Sequence, residues 1–206
     1  MKSYSQYAED ETFVRLLQTQ MGNCTGRLLE IGAWHPTTFS NSRALIELGW
    51  SAVLVDFSPG AVKDLAKEYV NNDKVMVVQT AITPVDSGLR RFDITDEGVS
   101  TSEPEIKEKW AKVGGFYGAL WVPVLSLDTF LSMMPGPGFD FVSIDAEGLS
   151  TELAIGLVRD CHRRPRVMCV EHDDKIVELM QVMQQQRYTA PWVNGTNIIL
   201  ETGFLQ

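Results

Sequence analysis

Apolar residues gather in short runs along the chain, and between those runs they fall at helical spacing. The runs Leu28 to Ile31, Ala52 to Val55, Val75 to Val78, Phe141 to Ile144 and Val167 to Val170 are nearly continuous rather than alternating. Strands of a parallel sheet covered on both faces need that pattern. In the intervening segments, Val62, Leu65, Ala66 and Tyr69 recur at i, i+3, i+4 and i+7, as do Ile176, Leu179, Met180 and Met183. Each set forms one apolar stripe of a helix. Phe13, Leu16 and Leu17 predict a further helix near the N-terminus. Ser58 with Pro59 reads as a helix start, and Ser126 and Ser150 as two more caps. Strands alternating with helices imply βαβ units and, with right-handed crossovers, a doubly wound α/β sandwich. The end of the chain departs from this: Tyr188 to Val193 and Thr196 to Glu201 are strand-like runs around Asn194-Gly195, a strong hairpin signal.

Between Ile94 and Trp121 the alternation stops. Glu103 to Trp110 predicts a helix leading into Gly114-Gly115-Phe116-Tyr117-Gly118. Glycines beside aromatics suit a lid over a pocket; the alternative is a satellite helix on the sheet edge, with Trp110 and Trp121 as core. No repeat or charged linker divides the chain, so residues 1–206 are expected to form one domain with 94–121 as a specificity insert.

Composition narrows the partners. The chain of 206 residues has 44% hydrophobic residues, 18 Lys plus Arg and 27 Asp plus Glu, for a net charge of −9. That balance argues against nucleic acid and anionic membranes, which draw binding from Lys and Arg. Three cysteines, Cys24, Cys161 and Cys169, match no disulfide or zinc spacing and read as reduced thiols, with Cys169 in the core. An acidic N-terminus without an apolar segment, and no run near 18 apolar residues, predict a soluble cytoplasmic protein.

In a doubly wound sheet, ligands bind at the carboxyl ends of the strands, beside the first strand–helix turn. Here the turn reads Glu30-Ile31-Gly32-Ala33-Trp34. A dinucleotide loop needs a second glycine at position 34 to approach a pyrophosphate, and tryptophan stands there. The second strand ends in Asp56-Phe57, an acid placed to bind ribose hydroxyls. S-adenosyl-L-methionine fits: a ribose for Asp56, an adenine for Phe57 or the Ala81-Ile82 backbone, no pyrophosphate, and a sulfonium suited to carboxylates. A parallel α/β sheet finishing in an antiparallel hairpin is the arrangement of the class I methyltransferase fold.

Over nearly its whole length the chain resembles the FkbM family of S-adenosylmethionine-dependent methyltransferases. Ser5-Gln6-Tyr7-Ala8-Glu9-Asp10 resembles that family's SQ-x-x-ED segment, and Leu29-Glu30-Ile31-Gly32-Ala33 its first cofactor motif. Ser40-Asn41-Ser42 with Gly49-Trp50, Val99-Ser100-Thr101, and Val122-Pro123 with Ser126-Leu127-Asp128 follow in the family's order. Asp140 to Gly148, reading DFVSIDAEG, is similar to its D-f-x-x-IDvEG signature, and Arg164-Pro165 leading to Val170-Glu171 to its last motif. Asp56 stands where the family usually has Glu. The resemblance implies methyl transfer to a sugar or other small hydroxylated acceptor.

Glu30, Gly32, Ala33, Asp56, Phe57 and Ala81 are therefore expected to bind the cofactor, and Ser40-Asn41 its methionine end or the acceptor. Asp145 and Glu147, ending the Phe141 strand, should meet Glu171-His172-Asp173-Asp174, ending its neighbour. His172 reads equally as a general base or a solvent-exposed loop residue. Asp145, Glu147, Glu171 and Asp173 can instead supply oxygen ligands to a Mg²⁺-like ion. Asp174 is better read as an acid favoured at a helix N-terminus. His35 is a pocket or a turn residue, and His162 belongs to a basic helix end. A small-molecule or glycan acceptor is the expected partner, with a homodimer left open. A nicotinamide-dependent oxidoreductase and a catalytically silent binding protein are the competing readings.

Overall fold

The computed structural model describes residues 2–95, 100–111, 116, 118–159 and 164–203. Helix α1 (Glu9–Met21) leads into strand β1 (Arg27–Ile31), followed by α2 (Arg43–Glu47), β2 (Ser51–Asp56), α3 (Pro59–Glu68) and β3 (Val75–Gln79). Three strands, β4 (Ala81–Thr83), β5 (Gly88–Ile94) and β6 (Gly118–Ser126), then form a separate small sheet, with α4 (Pro104–Trp110) between the last two. The main sheet resumes through α5 (Leu127–Met133), β7 (Phe141–Ile144), α6 (Ser150–Arg159), β8 (Val167–Glu171) and α7 (Ile176–Gln185), and ends in β9 (Tyr188–Val193) and β10 (Asn197–Thr202).

The seven-stranded sheet has the order β3-β2-β1-β7-β8-β10-β9. The first five are parallel, and β10 runs antiparallel to both its neighbours. After β3 the chain returns to the far side of β1, so the order reverses between β1 and β7. The apolar runs are continuous because both faces are covered. Leu29, Val53, Val142 and Met168 pack on one side with Phe130, Leu153 and Leu179 of α5, α6 and α7. Leu28, Leu54, Phe141 and Cys169 pack on the other with Phe13, Leu17, Leu45 and Leu65 of α1, α2 and α3. Full burial of each such side chain contributes roughly 1.5–3 kcal/mol. The five predicted strands, the helices and the closing hairpin stand where the pattern put them, but Ala66 of the α3 stripe is exposed. The Cys169 expectation holds too, since its side chain is buried.

Local detail differs in three places. Ser126 caps α5 by accepting from the Thr129 N–H at 3.2 Å. Ser58 makes no side-chain cap, and Ser150 is the first residue of α6, where its hydroxyl accepts from the Ala146 N–H at 2.8 Å. The third difference is the insert, which rests on a sheet that the periodicity does not show. Phe92, Ile94, Val122 and Val124 face inward there, and Phe57 packs against them. Trp121 is 69% exposed, so it is not the core residue of the satellite-helix alternative. Val99, Gly114, Gly115, Tyr117, Cys161 and His162 lie outside the described residues. Among the described residues no helix is long and apolar enough to cross a membrane.

Candidate active site

A cavity of about 650 Å³ opens where the strand order reverses, at the carboxyl ends of β1, β2, β7 and β8. Gly32 makes it possible. The Gly32 and Ala33 N–H groups donate to the Val55 carbonyl, and the Asp145 N–H donates to the Ile31 carbonyl. These bonds press the β1 turn so close to β7 that a β carbon on Gly32 would stand 1.8 Å from the Asp145 carbonyl oxygen. The φ of +83° at Gly32 also favours glycine.

On one side the cavity is lined by Gly32, Ala33, Asp56, Phe57, Ala81 and Ile82. The carboxylate of Asp56 closes the end of β2: one oxygen accepts from the Trp34 N–H at 3.0 Å, the other from the Ser58 N–H at 2.7 Å. Burial raises its pKa, and those backbone donors oppose the rise. The Phe57 N–H bonds the carboxylate as well, and since a carboxylate can accept about four hydrogen bonds, Asp56 retains capacity for a further donor. Phe57 is held by the insert through a ring contact with Phe92 at 4.3 Å.

Asn41 also lines the cavity, and three groups fix it. Its N–H donates to Glu30 at 2.9 Å, its amide donates to the Ser143 hydroxyl at 3.1 Å, and its side-chain oxygen accepts from the Ser5 hydroxyl at 2.6 Å. Glu30 and Ser40 do not reach the cavity lining. Glu30 is buried below it, where desolvation raises its pKa to about 7. Ser40 is buried as well, and its hydroxyl accepts from the Arg43 N–H at the start of α2. These two residues therefore act on the site through the loop they hold.

The opposite side carries Asp145, Glu147, Glu171, His172, Asp173 and Asp174, so the two strand ends meet as expected. The surface of Asp145 is open to the cavity, but protein surrounds it otherwise, and that enclosure raises its pKa. Glu171 is pushed higher by desolvation and by the negative charge of Asp145, Glu147 and Asp173. Asp145 and Glu171 share a hydrogen bond that lowers the pKa of the first and raises that of the second. Two carboxyls so placed do not both ionise; the pair retains one proton, held on Glu171.

His172 is only 6% exposed, which overturns its solvent-exposed alternative. Its Nε2 lies 3.1 Å from the Asn194 carbonyl, and in that contact Nε2 is the donor. Nδ1 is buried and has no hydrogen-bond partner in the structure. Asp174 precedes α7, as its helix-start reading requires, and also lines the cavity. His35 is a turn residue: its Nδ1 accepts from the Thr37 and Thr38 N–H groups at 3.1 and 2.9 Å. The Mg²⁺ expectation has no support in this geometry. Among the described residues no group of three or more His, Cys, Asp or Glu side chains is arranged to hold a metal.

Several lining residues were not singled out from the sequence. Gln6 and Tyr7 reach the cavity because Asp10 accepts from the Ser3 hydroxyl and the Tyr4 N–H, both at 2.7 Å, and folds the N-terminal segment back. The SQ-x-x-ED resemblance marked this segment without giving it a role. Asn197 sits beside Glu171 in the β8–β10 register and donates to buried Glu9 at 2.6 Å. Of the insert, Ser100 lines the cavity, while Thr101 donates to the Glu147 carbonyl at 3.1 Å and pairs with Asp93 in a β-bridge. Five non-glycine residues around the cavity, Trp34, Phe39, Glu147, Asp173 and Asp174, have left-handed backbones with φ of 36°, 56°, 41°, 48° and 58°. Such conformations are costly and concentrate at functional sites.

Sheet order, closing hairpin and cavity position together define the class I methyltransferase fold. Solved structures agree. The chain is similar to the N-terminal domain of human METTL16 in complex with SAH (14% identity, 96% of this chain and 71% of that one, TM-score 0.52). It is also similar to a putative RNA methyltransferase from Pyrococcus horikoshii (8% identity, 98% and 87%, TM-score 0.50). Monomeric WbdD gives 10% identity over 94% of this chain, which spans 40% of that protein's length, at a TM-score of 0.52. At these identities the likeness is one of fold. No family model matches the chain, and no curated protein matches it in sequence.

Proposed function

We propose that this chain is an S-adenosyl-L-methionine-dependent methyltransferase acting on a hydroxyl of a small acceptor, a sugar or similar compound. The observation that carries the reading is the division of one cavity between two walls: the Gly32 turn with Asp56, Phe57 and Ala81 on one side, and Asp145, Glu147 and His172 on the other. The first wall suits the donor. Asp56 keeps acceptor capacity for a ribose hydroxyl, Phe57 and Ile82 offer apolar surface to an adenine, and Trp34 blocks the close approach a pyrophosphate needs. Bound there, the donor supplies an electrophilic methyl on a sulfonium.

The second wall does the rest. The Asp145–Glu171 pair, with one proton between them, keeps a negative charge beside a cationic centre in a partly enclosed site, where Coulomb attraction is stronger than in water. His172 is the general base of this reading: with Nε2 donating to Asn194, Nδ1 carries the ring's lone pair, which is buried and takes a hydroxyl proton only if the bound acceptor opens a path to it. Asn41 and Ser100 line the space in which the acceptor is oriented. METTL16 in complex with SAH shares the fold, and its bound product is in keeping with this donor.

Calorimetric titration with S-adenosylhomocysteine and NADH tests the reading. The homocysteine product is expected to bind, and Asp56→Ala to weaken it at least tenfold. Binding of NADH with no binding of the adenosyl compound would refute it.

A further inference from the structure

The N-terminal segment lines the cavity with Gln6 and Tyr7, and the methyl-transfer reading leaves it without a role. It is restrained on both sides of those residues. Upstream, the Ser5 hydroxyl donates to the Asn41 side-chain oxygen at 2.6 Å. Downstream, the Tyr7 N–H donates to one oxygen of Glu9 at 2.8 Å, and the other oxygen accepts from the Asn197 amide at 2.6 Å. Asn41 and Asn197 both line the cavity, so the segment is tied to the loop after β1 at one end and to β10 at the other. This hold is costly. Glu9 and Asp10 are fully buried, and Ala8, where the segment turns back from α1, has a left-handed φ of 61°. Buried carboxyls need hydrogen-bond partners to offset desolvation, and strained backbone of this kind concentrates at functional sites.

An S-adenosyl donor carries its nucleoside at one end and an amino acid at the other. With the ribose on Asp56 and the adenine against Phe57 and Ile82, the amino-acid end runs the opposite way, across β1 toward β7 and the N-terminal segment. That end brings an ammonium and a carboxylate. The ammonium suits Asp145 and Glu171, which keep negative charge between them. The same charge repels the carboxylate, and among the described lining residues there is no Lys or Arg to receive it. Neutral donors are left. The Asn41 amide donates to Ser143 and the Asn197 amide to Glu9, whereas the exposed Gln6 amide has no hydrogen-bond partner among the described residues.

We propose that the Gln6 amide donates to the carboxylate at the amino-acid end of the methyl donor, and that Glu9 and Asp10 are positioning residues that hold Gln6 there. An amide offers two N–H groups, and hydrogen bonds to an ionised acceptor are the stronger kind. Gln6 is also the lining residue fixed from both neighbours, Ser5 on Asn41 and Tyr7 on Glu9. The inference rests on the methyl-transfer reading for the identity of the donor.

Calorimetric titration with three ligands tests it: S-adenosylhomocysteine, its decarboxylated analogue S-adenosyl-3-thiopropylamine, and 5′-methylthioadenosine, which lacks the amino-acid end. Gln6→Ala removes an exposed side chain without a partner, so a native melting transition is expected. It should weaken S-adenosylhomocysteine about tenfold and change the other two ligands by less than about twofold. Gln6→Glu places a like charge against the carboxylate and should weaken S-adenosylhomocysteine further, again sparing methylthioadenosine. Asp10→Asn, which converts one acceptor oxygen into a donor facing the Ser3 hydroxyl or the Tyr4 N–H, should show the same selective loss, a pattern that general destabilisation does not produce. Unchanged S-adenosylhomocysteine affinity in Gln6→Ala, or an equal loss for all three ligands, overturns the inference and leaves the methyl-transfer reading standing. A wild-type protein that binds none of the three overturns both.

Discussion

Glu30 offers a quantitative test of how the site is supported from below. Its carboxyl is 4% exposed, accepts one backbone N–H from Asn41, and is raised from its ordinary 4.5 to about 7 by desolvation. In the unfolded chain the group ionises near 4.5; in the folded protein it keeps its proton until about 7. As pH rises between those values the unfolded state gains the charged form and the folded state does not, so stability falls. The full difference corresponds to about 3 kcal/mol, of which about 2.5 kcal/mol accrues between pH 5 and 8. Glu30→Gln preserves an acceptor for Asn41 and removes the ionisation. Urea unfolding of both proteins across pH 5–8 isolates the effect, because Asp56, Asp145 and Glu171 titrate in each and cancel in the difference. The variant is expected to gain on the wild type steadily through that window and to level off above about pH 7.5. A difference in unfolding free energy that does not change with pH would refute the assignment of a buried, proton-retaining Glu30.

Other substitutions test separate parts of the site. Gly32→Ala forces a β carbon to within 1.8 Å of a backbone oxygen and fixes a left-handed φ, a combined cost of about 3 kcal/mol; an unchanged urea midpoint would contradict it. His172→Ala should keep S-adenosylhomocysteine affinity within about threefold while slowing methyl transfer about a hundredfold, the usual reach of one general base. A single-turnover assay on sugar and polyol acceptors separates the two. Thr101→Val removes the hydroxyl bond to the Glu147 carbonyl, worth about 1 kcal/mol, and should make the insert more sensitive to limited proteolysis. Tyr188→Phe strips the 2.6 Å bond to the Pro165 carbonyl from a residue 1% exposed, and should cost about 1–2 kcal/mol in chemical denaturation.

What the chain's pattern makes legible is whatever depends on short-range periodicity. Leu28, Leu54 and Phe141 announce a strand because each sits in an apolar run that only a doubly covered sheet accommodates, and Asn194-Gly195 announces the reversal that places β10 beside β8. Gly32 and Asp56 are legible for a related reason: their distance from strand ends is fixed by the strands themselves. The small sheet escaped because β5 and β6 are exposed on one face and interrupted by polar residues. Leu89 and Trp121 face solvent while Phe92 and Val122 face inward, so the run resembles a loop with scattered apolar residues.

The candidate site was harder to divide into roles, and the reason is physical. Position along a strand says that a side chain lies near the carboxyl edge; it does not say whether that side chain turns toward the cavity or into the protein beneath. Glu30 and Asp145 both stand at or near strand ends in β1 and β7, and both are acids within motif-like segments. Asp145 opens on the cavity, while Glu30, two residues deeper in the β1–β7 register, turns to the α2 loop and holds Asn41 in place. The same ambiguity governs His172, whose two readings differed only in burial. Burial there is set by the hairpin: the Asn194 carbonyl that orients the ring belongs to a turn 22 residues away. A residue's chemistry in this cavity is therefore decided by pairs of segments, strand end with returning loop, and the second member of each pair is what one-dimensional periodicity cannot supply.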